Sequence, residues 1–199
     1  MSVGNFGYSI PANMRSAKVY MVGELHVGSP DLNSVKLKRI INEIIMTPNA
    51  YVIYIGDQID NALFNCPSNV YTQRLSSQEQ ITRVAELFRP HADAGKILAI
   101  MDGNHEARSV RACGVSPTLM IAKILGIEDR YTPTTAIVRL AIGSQTYTIY
   151  ATHGSSGGGT IGAKANALER LTRIVDADVY AAGHTHLEFL LKSIGLLCV

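Results

Sequence analysis

Short apolar runs of strand length recur along this chain, and stretches with a helical spacing of apolar residues lie between them. Residues 51–55 and 96–101 form two such runs. The stretch between them starts at Ser76-Ser77-Gln78-Glu79, which resembles a helix capping box, and its last apolar residue precedes Pro90. Strands that alternate with helices predict an α/β fold in which crossover helices join parallel strands.

The same pattern predicts the other elements. A first strand covers 17–22 after a polar lead-in over 1–16, and a crossover helix covers 30–46 with Ser29 as its N-cap. The alternating runs 135–141 and 145–152 predict an antiparallel hairpin, so the sheets should be mixed. For residues 61–75 the prediction is a long loop or a loop with a short helix. The remaining predictions are a helix from Ser116-Pro117 to about Gly126, a helix over 161–175, a strand over 178–182 and one or two strands over 187–199. Because residues 187–199 are mostly apolar, we expect a truncated product of a longer chain.

Length and composition limit the organisation of the chain. Its 199 residues, 47% hydrophobic and 17% charged, suit a single domain over 1–199. The net charge of +2 is too small to indicate a nucleic-acid or membrane partner by itself, and the oligomeric state stays open. No run approaches the ~20 apolar residues of a membrane span, and residues 1–11 lack the features of a signal peptide. Three cysteines outside any CxxC spacing predict reduced thiols in a cytoplasmic protein.

Acidic, amide and histidine side chains directly follow the apolar runs. Because the carboxyl ends of parallel strands meet at one sheet edge, we expect these side chains to converge there. Five of the six histidines belong to this set, and His91 is the exception. The members of the set are Glu24, His26, Asp57, Asn104, His105, His153, His184 and His186.

The chemistry of this set indicates a metal centre. Carboxylates, imidazoles and one amide, without a thiolate, suit Mn²⁺, Fe, Zn²⁺ or Co²⁺. Eight side chains exceed what one ion needs. Asp57 follows a strand at a glycine turn, where a carboxylate can bring one oxygen to each of two ions. Two ions roughly 3.5–4 Å apart would serve an in-line displacement at phosphorus.

The ordered motifs resemble those of the calcineurin-like metallophosphoesterases, and the resemblance covers nearly the whole chain. The motifs are Glu24-Leu25-His26, Gly56-Asp57-Gln58-Ile59-Asp60, Gly103-Asn104-His105-Glu106, His153-Gly154 and Gly183-His184-Thr185-His186. The resemblance implies a four-layer αββα sandwich of two mixed β-sheets flanked by helices. It also implies hydrolysis of phosphate esters by a hydroxide that the metal ions activate. The stretch from Gln78 to Arg108 is similar to phage and prophage members of the superfamily, which implies a phage-encoded protein in a host cytoplasm.

The resemblance also implies a role for each residue. Glu24, His26 and His186 would hold one metal ion, Asn104, His153 and His184 would hold the other, and Asp57 would bridge both. His105 would be catalytic rather than a ligand, either stabilising the phosphoryl oxygens or protonating the leaving oxygen. Asp60 would hold the His105 imidazole. Mn²⁺ is the favoured ion, with Fe, Zn, Co and Ni as alternatives.

Two departures from the family pattern affect these expectations. Glu24 stands where the family usually has aspartate, so the first metal site should be looser or differently angled. Asn61 stands where the phosphoprotein phosphatases of the family carry an arginine that binds phosphate. Arg108 and Arg111 are candidate substitutes, and surface charge is the alternative reading of both. The glycine-rich loop 154–159 is either a hinge or a phosphate-binding loop before a helix.

Three functions from different classes remain. The favoured one is a phosphodiesterase or nuclease, with a phosphoester substrate and nucleic acid as a candidate partner. The second is a phosphomonoesterase acting on nucleotides or phosphoproteins. The third is a catalytically inactive binding module, which has no physical need for His105 and Asp60.

Overall fold

The computed structural model describes residues 3–64, 66–155 and 160–186. In these ranges the chain forms eight β-strands in two four-stranded sheets, with five α-helices and one short 3-10 helix. The predicted α/β class is therefore confirmed. The strands are β1 Val3–Ser9, β2 Lys18–Val22, β3 Ala50–Tyr54, β4 Ile97–Met101, β5 Tyr131–Thr132, β6 Thr135–Ile142, β7 Gln145–Thr152 and β8 Val179–Ala182. The helices are α1 Ser34–Met46, α2 Ser77–Asp93, α3 Glu106–Cys113, α4 Pro117–Leu125 and α5 Ile161–Leu171.

The two sheets differ in strand direction. The first has the order β2-β3-β4-β5, and all its pairings are parallel. The second has the order β1-β6-β7-β8, in which the predicted β6–β7 hairpin is antiparallel and the other pairings are parallel. Over the described residues, the prediction of two mixed sheets is therefore wrong for the first sheet. Because β2, β3 and β4 run in one direction, their carboxyl ends meet at one edge, as predicted.

Two apolar cores hold the layers together. One lies between the first sheet and helices α1, α2 and α4, and it includes Ile44, Phe88 and Ile121. The other lies between the two sheets, where Leu98 of β4 and Val138 of β6 are both buried. β4 is buried along its whole length because both faces of the first sheet are covered.

The structure differs from the prediction at the beginning of the chain. Residues 3–9, predicted as a polar lead-in, form β1 and pair with β6. This strand carries two glycines and an asparagine, so its alternation is too weak to indicate a strand. Helix α1 starts at Ser34 rather than near Pro30, because the Asn33 side chain accepts a hydrogen bond from the Lys36 N–H and caps the helix.

The helices differ from the prediction in three further places. α2 has the predicted capping box but continues past Pro90 to Asp93. A proline so near the end of a helix removes only one of its last hydrogen bonds. α3 was not predicted, since it is short and has no clear apolar stripe, and α5 ends at Leu171 rather than near residue 175.

In the described ranges, no helix combines the length and apolar character needed to cross a bilayer. The strands predicted over 187–199 lie outside the described residues.

His91, the histidine outside the predicted set, lies in the core beside the first sheet. Its side chain is fully buried. Its Nε2–H donates to the Ile41 carbonyl oxygen at 2.9 Å, and the Tyr54 hydroxyl donates to its Nδ1 at 2.7 Å. Burial lowers the pKa of His91 below its ordinary 6.5, and the charge of Lys96 lowers it further, against the Ile41 hydrogen bond. The imidazole therefore joins α1, α2 and β3 as a neutral group.

Replacing His91 with alanine should lower the free energy of unfolding by about 2–4 kcal/mol, because a cavity opens and the buried Tyr54 hydroxyl loses its acceptor. Wild-type stability should also fall as the pH drops below 6.5, since the unfolded imidazole takes up a proton that the buried ring resists. The stability of the His91→Gln variant should fall less over the same pH range, because glutamine does not titrate. Urea unfolding at several pH values measures both effects. A loss below ~0.5 kcal/mol for His91→Ala would contradict this role.

Candidate metal centre

The loops that follow β2 and β3 run side by side beyond the edge of the first sheet. The N–H groups of Leu25 and His26 both donate to the Asp57 carbonyl oxygen, at 2.9 and 3.0 Å. Val27 and Ile59 then form an isolated parallel bridge. These hydrogen bonds continue the strand pairing past the strand ends, so the side chains of the two loops keep a fixed register.

Side chains from the β2 and β8 loops form a first donor group. Glu24, His26 and His186 each offer a ligand atom, and these atoms lie within 4.8 Å of one another. The Glu24 Oε2 atom lies 3.2 Å from His26 Nε2 and 3.0 Å from His186 Nε2. The three residues that were predicted to share one ion are therefore brought together.

A second donor group comes from the β3, β4, β7 and β8 loops. Asp57, His153 and His184 offer ligand atoms within 4.8 Å of one another. Asn104 joins them, since its Oδ1 lies 2.8 Å from His153 Nε2 and 2.7 Å from His184 Nδ1. The structure thus brings the predicted ligands of the other ion together as well.

Asp57 stands between the two groups. Its Oδ1 lies 3.6 Å from His153 Nε2, and its Oδ2 lies 3.8 Å from His26 Nε2. The carboxylate is almost fully buried, and its Oδ1 accepts a hydrogen bond from the His105 N–H at 2.9 Å. One oxygen faces each donor group, which is the placement that a bridging ligand requires.

Two glycines allow the backbone to approach this carboxylate. A Cβ atom on Gly103 would lie 2.1 Å from Asp57 Oδ1. A Cβ atom on Gly56 would lie 2.7 Å from His153 Nδ1, and Gly56 also has a φ of +94°. Both positions therefore need glycine, one for space and the other for space and conformation.

Backbone strain is concentrated at the same edge. Six non-glycine residues of the described ranges have positive φ. Such conformations cost of order 1–3 kcal/mol each and persist where surrounding contacts enforce them, most often at functional sites. Five of the six are predicted ligands, and the full set is Glu24, His26, Asp57, Asn61, His184 and His186.

Glu106 supports the site in a way that the sequence analysis did not identify, although it lies within the third motif. Its fully buried carboxylate accepts hydrogen bonds from the N–H groups of Asp57 at 3.0 Å, Ile59 at 3.1 Å and Gly103 at 2.7 Å. Burial and the nearby Asp57 carboxylate raise the pKa of Glu106 to about 7, against the backbone donors, which lower it. Glu106 therefore ties the β3 loop to the β4 loop and orients Asp57.

The Glu106→Gln variant should bind Mn²⁺ roughly 10–100-fold more weakly, the usual cost of losing a group that orients a metal ligand. The new amide NH₂ would face backbone N–H donors, so Asp57 would shift. Metal titration followed by calorimetry measures the loss, with Glu128→Gln, at an exposed residue of the short 3-10 helix, as the matched control. Unchanged Mn²⁺ affinity in Glu106→Gln, with only stability reduced, would contradict the positioning role.

His105 lies beside the donor groups and is oriented by Asp60. Its Nδ1–H donates to the Asp60 carbonyl oxygen at 2.5 Å, whereas the Asp60 Oδ1 atom is 3.7 Å away from the same nitrogen. The predicted pairing of these two residues is present. The hydrogen bond, however, comes from the main chain of Asp60 and not from its side chain.

Arg108 contacts the other side of the His105 ring. Its guanidinium donates to His105 Nε2 at 2.9 Å and to the Asp60 carbonyl oxygen at 3.1 Å. A guanidinium only donates, so Nε2 accepts and the ring is neutral with its proton on Nδ1. Arg108 therefore lies where a phosphate bound near His105 would be within its reach.

The other predicted substrate contacts are placed differently. Arg111 is exposed in the last turn of α3, away from the end that carries His105. Asn61 is buried, and its Nδ2 donates to the His105 carbonyl oxygen at 2.7 Å and to Ser109 Oγ at 2.9 Å. Asn61 thus anchors α3. In the predicted glycine loop, residues 156–159 lie outside the described ranges.

The first donor group and His105 border a cleft of about 690 Å³, which we name the main cleft. Its lining combines Glu24, His26, Asp60, His105 and His186 with the start of α1, including Asn33 and Lys36. The cleft therefore extends well beyond the donor atoms themselves.

The donor set fits divalent cations. Imidazole nitrogens with carboxylate and amide oxygens suit Mn²⁺, Fe²⁺ or Zn²⁺. The His153 Nδ1–H donates to the Ile55 carbonyl oxygen at 2.9 Å, which leaves Nε2 directed towards the other donors. His26, Asp57 and His105 form a third group of possible ligand atoms. Because Arg108 already occupies His105 Nε2, the first two groups are the better candidates.

Glu24 uses its two oxygens differently. Oε2 faces His26 and His186, while Oε1 accepts a hydrogen bond from the His184 N–H at 2.5 Å. Burial raises the pKa of Glu24, but the hydrogen bonds from His26 and His184 outweigh it and bring the pKa down to about 2. The longer glutamate side chain therefore points into the first donor group as an ionised carboxylate.

Glu24→Gln should weaken Mn²⁺ binding at the first site roughly tenfold or more, since it removes the carboxylate charge of this donor group. Glu24→Asp should keep substantial activity because it keeps the charge. Activation curves against Mn²⁺ for the three proteins measure both effects. Superimposable curves for wild type and Glu24→Gln would show that Glu24 is not a ligand.

Comparison of the chain with protein-family models and with curated proteins gave no match. The resemblance to the calcineurin-like metallophosphoesterases therefore depends on the ordered motifs alone. The arrangement of the side chains around Asp57 is the independent basis for a functional proposal.

Proposed function

We propose that this chain is a dinuclear metal-dependent phosphoesterase of the calcineurin-like type, with the four-layer αββα sandwich of that family. The observation that carries the proposal is the pair of donor groups on either side of Asp57, with His105 beside them. When bound, two divalent ions would activate water and neutralise charge on the phosphoryl oxygens. One ion would be held by Glu24, His26 and His186, the other by Asn104, His153 and His184, with Asp57 shared.

His105 is the candidate general acid. Its hydrogen bond to the Asp60 carbonyl oxygen fixes the ring orientation and leaves Nε2 on the side of the donor groups, 3.9 Å from Asp57 Oδ2. In the substrate complex, Arg108 would exchange its contact with Nε2 for one with a phosphoryl oxygen, for which a guanidinium is well suited. Nε2 would then be free to take up a proton from solvent and donate it to the leaving oxygen.

A phosphodiester is the favoured substrate class. The main cleft of about 690 Å³ is larger than a single phosphate group needs. It extends from the first donor group along the start of α1, so both substituents of a diester have room. This is the feature that favours a phosphodiesterase or nuclease over a phosphomonoesterase.

A side-by-side assay tests the proposal. The substrates are bis-p-nitrophenyl phosphate, p-nitrophenyl phosphate, and single- and double-stranded DNA, each with added Mn²⁺ and with a strong chelator. We expect hydrolysis of the diester above that of the monoester, and none with the chelator. A faster monoester reaction would assign a phosphomonoesterase, and hydrolysis of no substrate would leave only the inactive binding module.

A further inference from the structure

A second cavity lies between the first turns of α1 and helix α2. Its volume is about 250 Å³. We name it the side pocket. It is lined by the loop after His26, the start of α1, the end of loop 61–75 and one face of α2.

The lining of the side pocket is apolar with cations at its rim. Leu32, Leu37, Leu75 and Leu87 supply most of the apolar wall. Lys38, Arg74 and Arg83 are exposed, and none of the lining residues is acidic. Glu86, outside the lining, pairs with Arg83 at 2.9 Å and offsets part of one charge. A ligand that fits has an apolar body and at least one negative charge.

The side pocket adjoins the main cleft. Ser29, Leu32 and Leu37 line both cavities. The Ser29 N–H donates to the carbonyl oxygen of His26, a candidate metal ligand, at 2.9 Å. A chain-like ligand that lies in the main cleft would therefore reach the side pocket across Ser29.

The wall of the side pocket is held in place by buried hydrogen bonds. The Arg74 N–H donates to the Gly28 carbonyl oxygen at 2.7 Å. Gln80 is fully buried, and its Nε2 donates to Gln73 Oε1 at 2.8 Å and to the Leu75 carbonyl oxygen at 2.7 Å. A Cβ atom on Gly28 would lie 2.4 Å from the Gln80 side chain, so glycine is needed there. The end of loop 61–75 is thus fixed against α2, and the pocket exists before a ligand binds.

We propose that the side pocket binds the nucleotide next to the scissile phosphate of a single-stranded oligonucleotide. The base would contact the leucine wall, and the neighbouring phosphate would contact Lys38, Arg74 and Arg83. Cationic contact with phosphates is the sequence-independent component of strand binding, and the leucine wall offers the base an apolar surface in place of an aromatic one. This inference rests on the proposed function, and it narrows the substrate class from phosphodiesters in general to nucleic acid strands.

The test replaces the three rim cations together, as Lys38→Gln, Arg74→Gln and Arg83→Gln. The matched control removes three exposed cations elsewhere, as Arg15→Gln, Lys18→Gln and Arg139→Gln. Binding of a short fluorescent single-stranded DNA is measured in chelator over a series of salt concentrations. Hydrolysis of bis-p-nitrophenyl phosphate with Mn²⁺ is measured on the same proteins.

We expect the rim variant to bind the oligonucleotide roughly tenfold more weakly than wild type. Its slope of log affinity against log salt should be shallower by about 0.7 for each phosphate that the variant can no longer neutralise. The control variant should keep the wild-type affinity and slope, and both variants should hydrolyse bis-p-nitrophenyl phosphate at the wild-type rate.

Two outcomes would overturn the inference: equal oligonucleotide binding by the rim and control variants, or a loss of bis-p-nitrophenyl phosphate hydrolysis by the rim variant equal to its loss of oligonucleotide binding. If wild type hydrolyses none of the four substrates of the side-by-side assay, the proposed function fails. In that case the binding measurement, made without metal, still decides whether the side pocket holds a strand.

Discussion

Replacing His105 with alanine should lower kcat on a phosphodiester by roughly 10²–10⁴-fold while leaving the number of bound Mn²⁺ ions unchanged. His105 is held by the Asp60 carbonyl oxygen and lies beside, not within, the two donor groups. Removing its ring would therefore remove the proposed proton donor without removing a proposed metal ligand. The measurement is steady-state hydrolysis of aryl phosphodiesters, together with elemental analysis of the purified variant.

The leaving group separates the two roles that are possible for His105. A substrate whose leaving group needs no proton should partly recover its rate in His105→Ala, because the missing acid is then not required. Equal losses on good and poor leaving groups would assign His105 to charge stabilisation instead. Asp60→Asn is the matched control, and it should have a much smaller effect because the carbonyl oxygen that holds the imidazole remains.

Replacing Asp57 with asparagine should reduce Mn²⁺ affinity at both sites by more than the roughly 10–100-fold that the loss of a supporting group costs. One Asp57 oxygen faces His153 and the other faces His26. A neutral amide has the same shape but lacks the charge that two cations share. Activity at moderate Mn²⁺ should fall accordingly, and added Mn²⁺ should recover it only in part.

Asn104→Asp is the matched comparison for Asp57→Asn, since it makes the reverse change within the second donor group only. Calorimetric Mn²⁺ titration of both variants measures the affinities. If Asp57→Asn weakens one site and leaves the other at wild-type affinity, then Asp57 is a ligand of a single ion, and the bridging role is wrong.

The parallel part of the fold could be predicted because its strands and helices each have a local sequence pattern. The buried run 51–55 and the capping box at Ser76 identify β3 and the start of α2 without any tertiary information. β1 could not be predicted in this way, because Val3–Ser9 becomes a strand only through pairing with the distant β6. Helix α3 is short, and contacts with the site loops stabilise it, so its sequence carries no clear signal.

The position of the site residues at strand ends predicted that they converge. The hydrogen bonds and backbone conformations that hold them in place could not be predicted. A glutamate after Asn104-His105 looks like an ordinary first-turn acid of a helix, and only the folded chain brings the Asp57, Ile59 and Gly103 N–H groups onto it. The positive φ angles of Glu24 and the other candidate ligands are equally invisible in the sequence. The hydrogen bond from His105 to the main-chain carbonyl oxygen of Asp60 also depends on the loop geometry.

Metal stoichiometry tests the central claim most directly. The chain is stripped with chelator, dialysed against excess Mn²⁺, and analysed for bound metal in parallel with Asp57→Asn. The two donor groups predict two ions per chain for wild type and a clear loss for the variant. Binding of one ion or none by the folded wild type, or equal binding by both proteins, would contradict a two-metal centre.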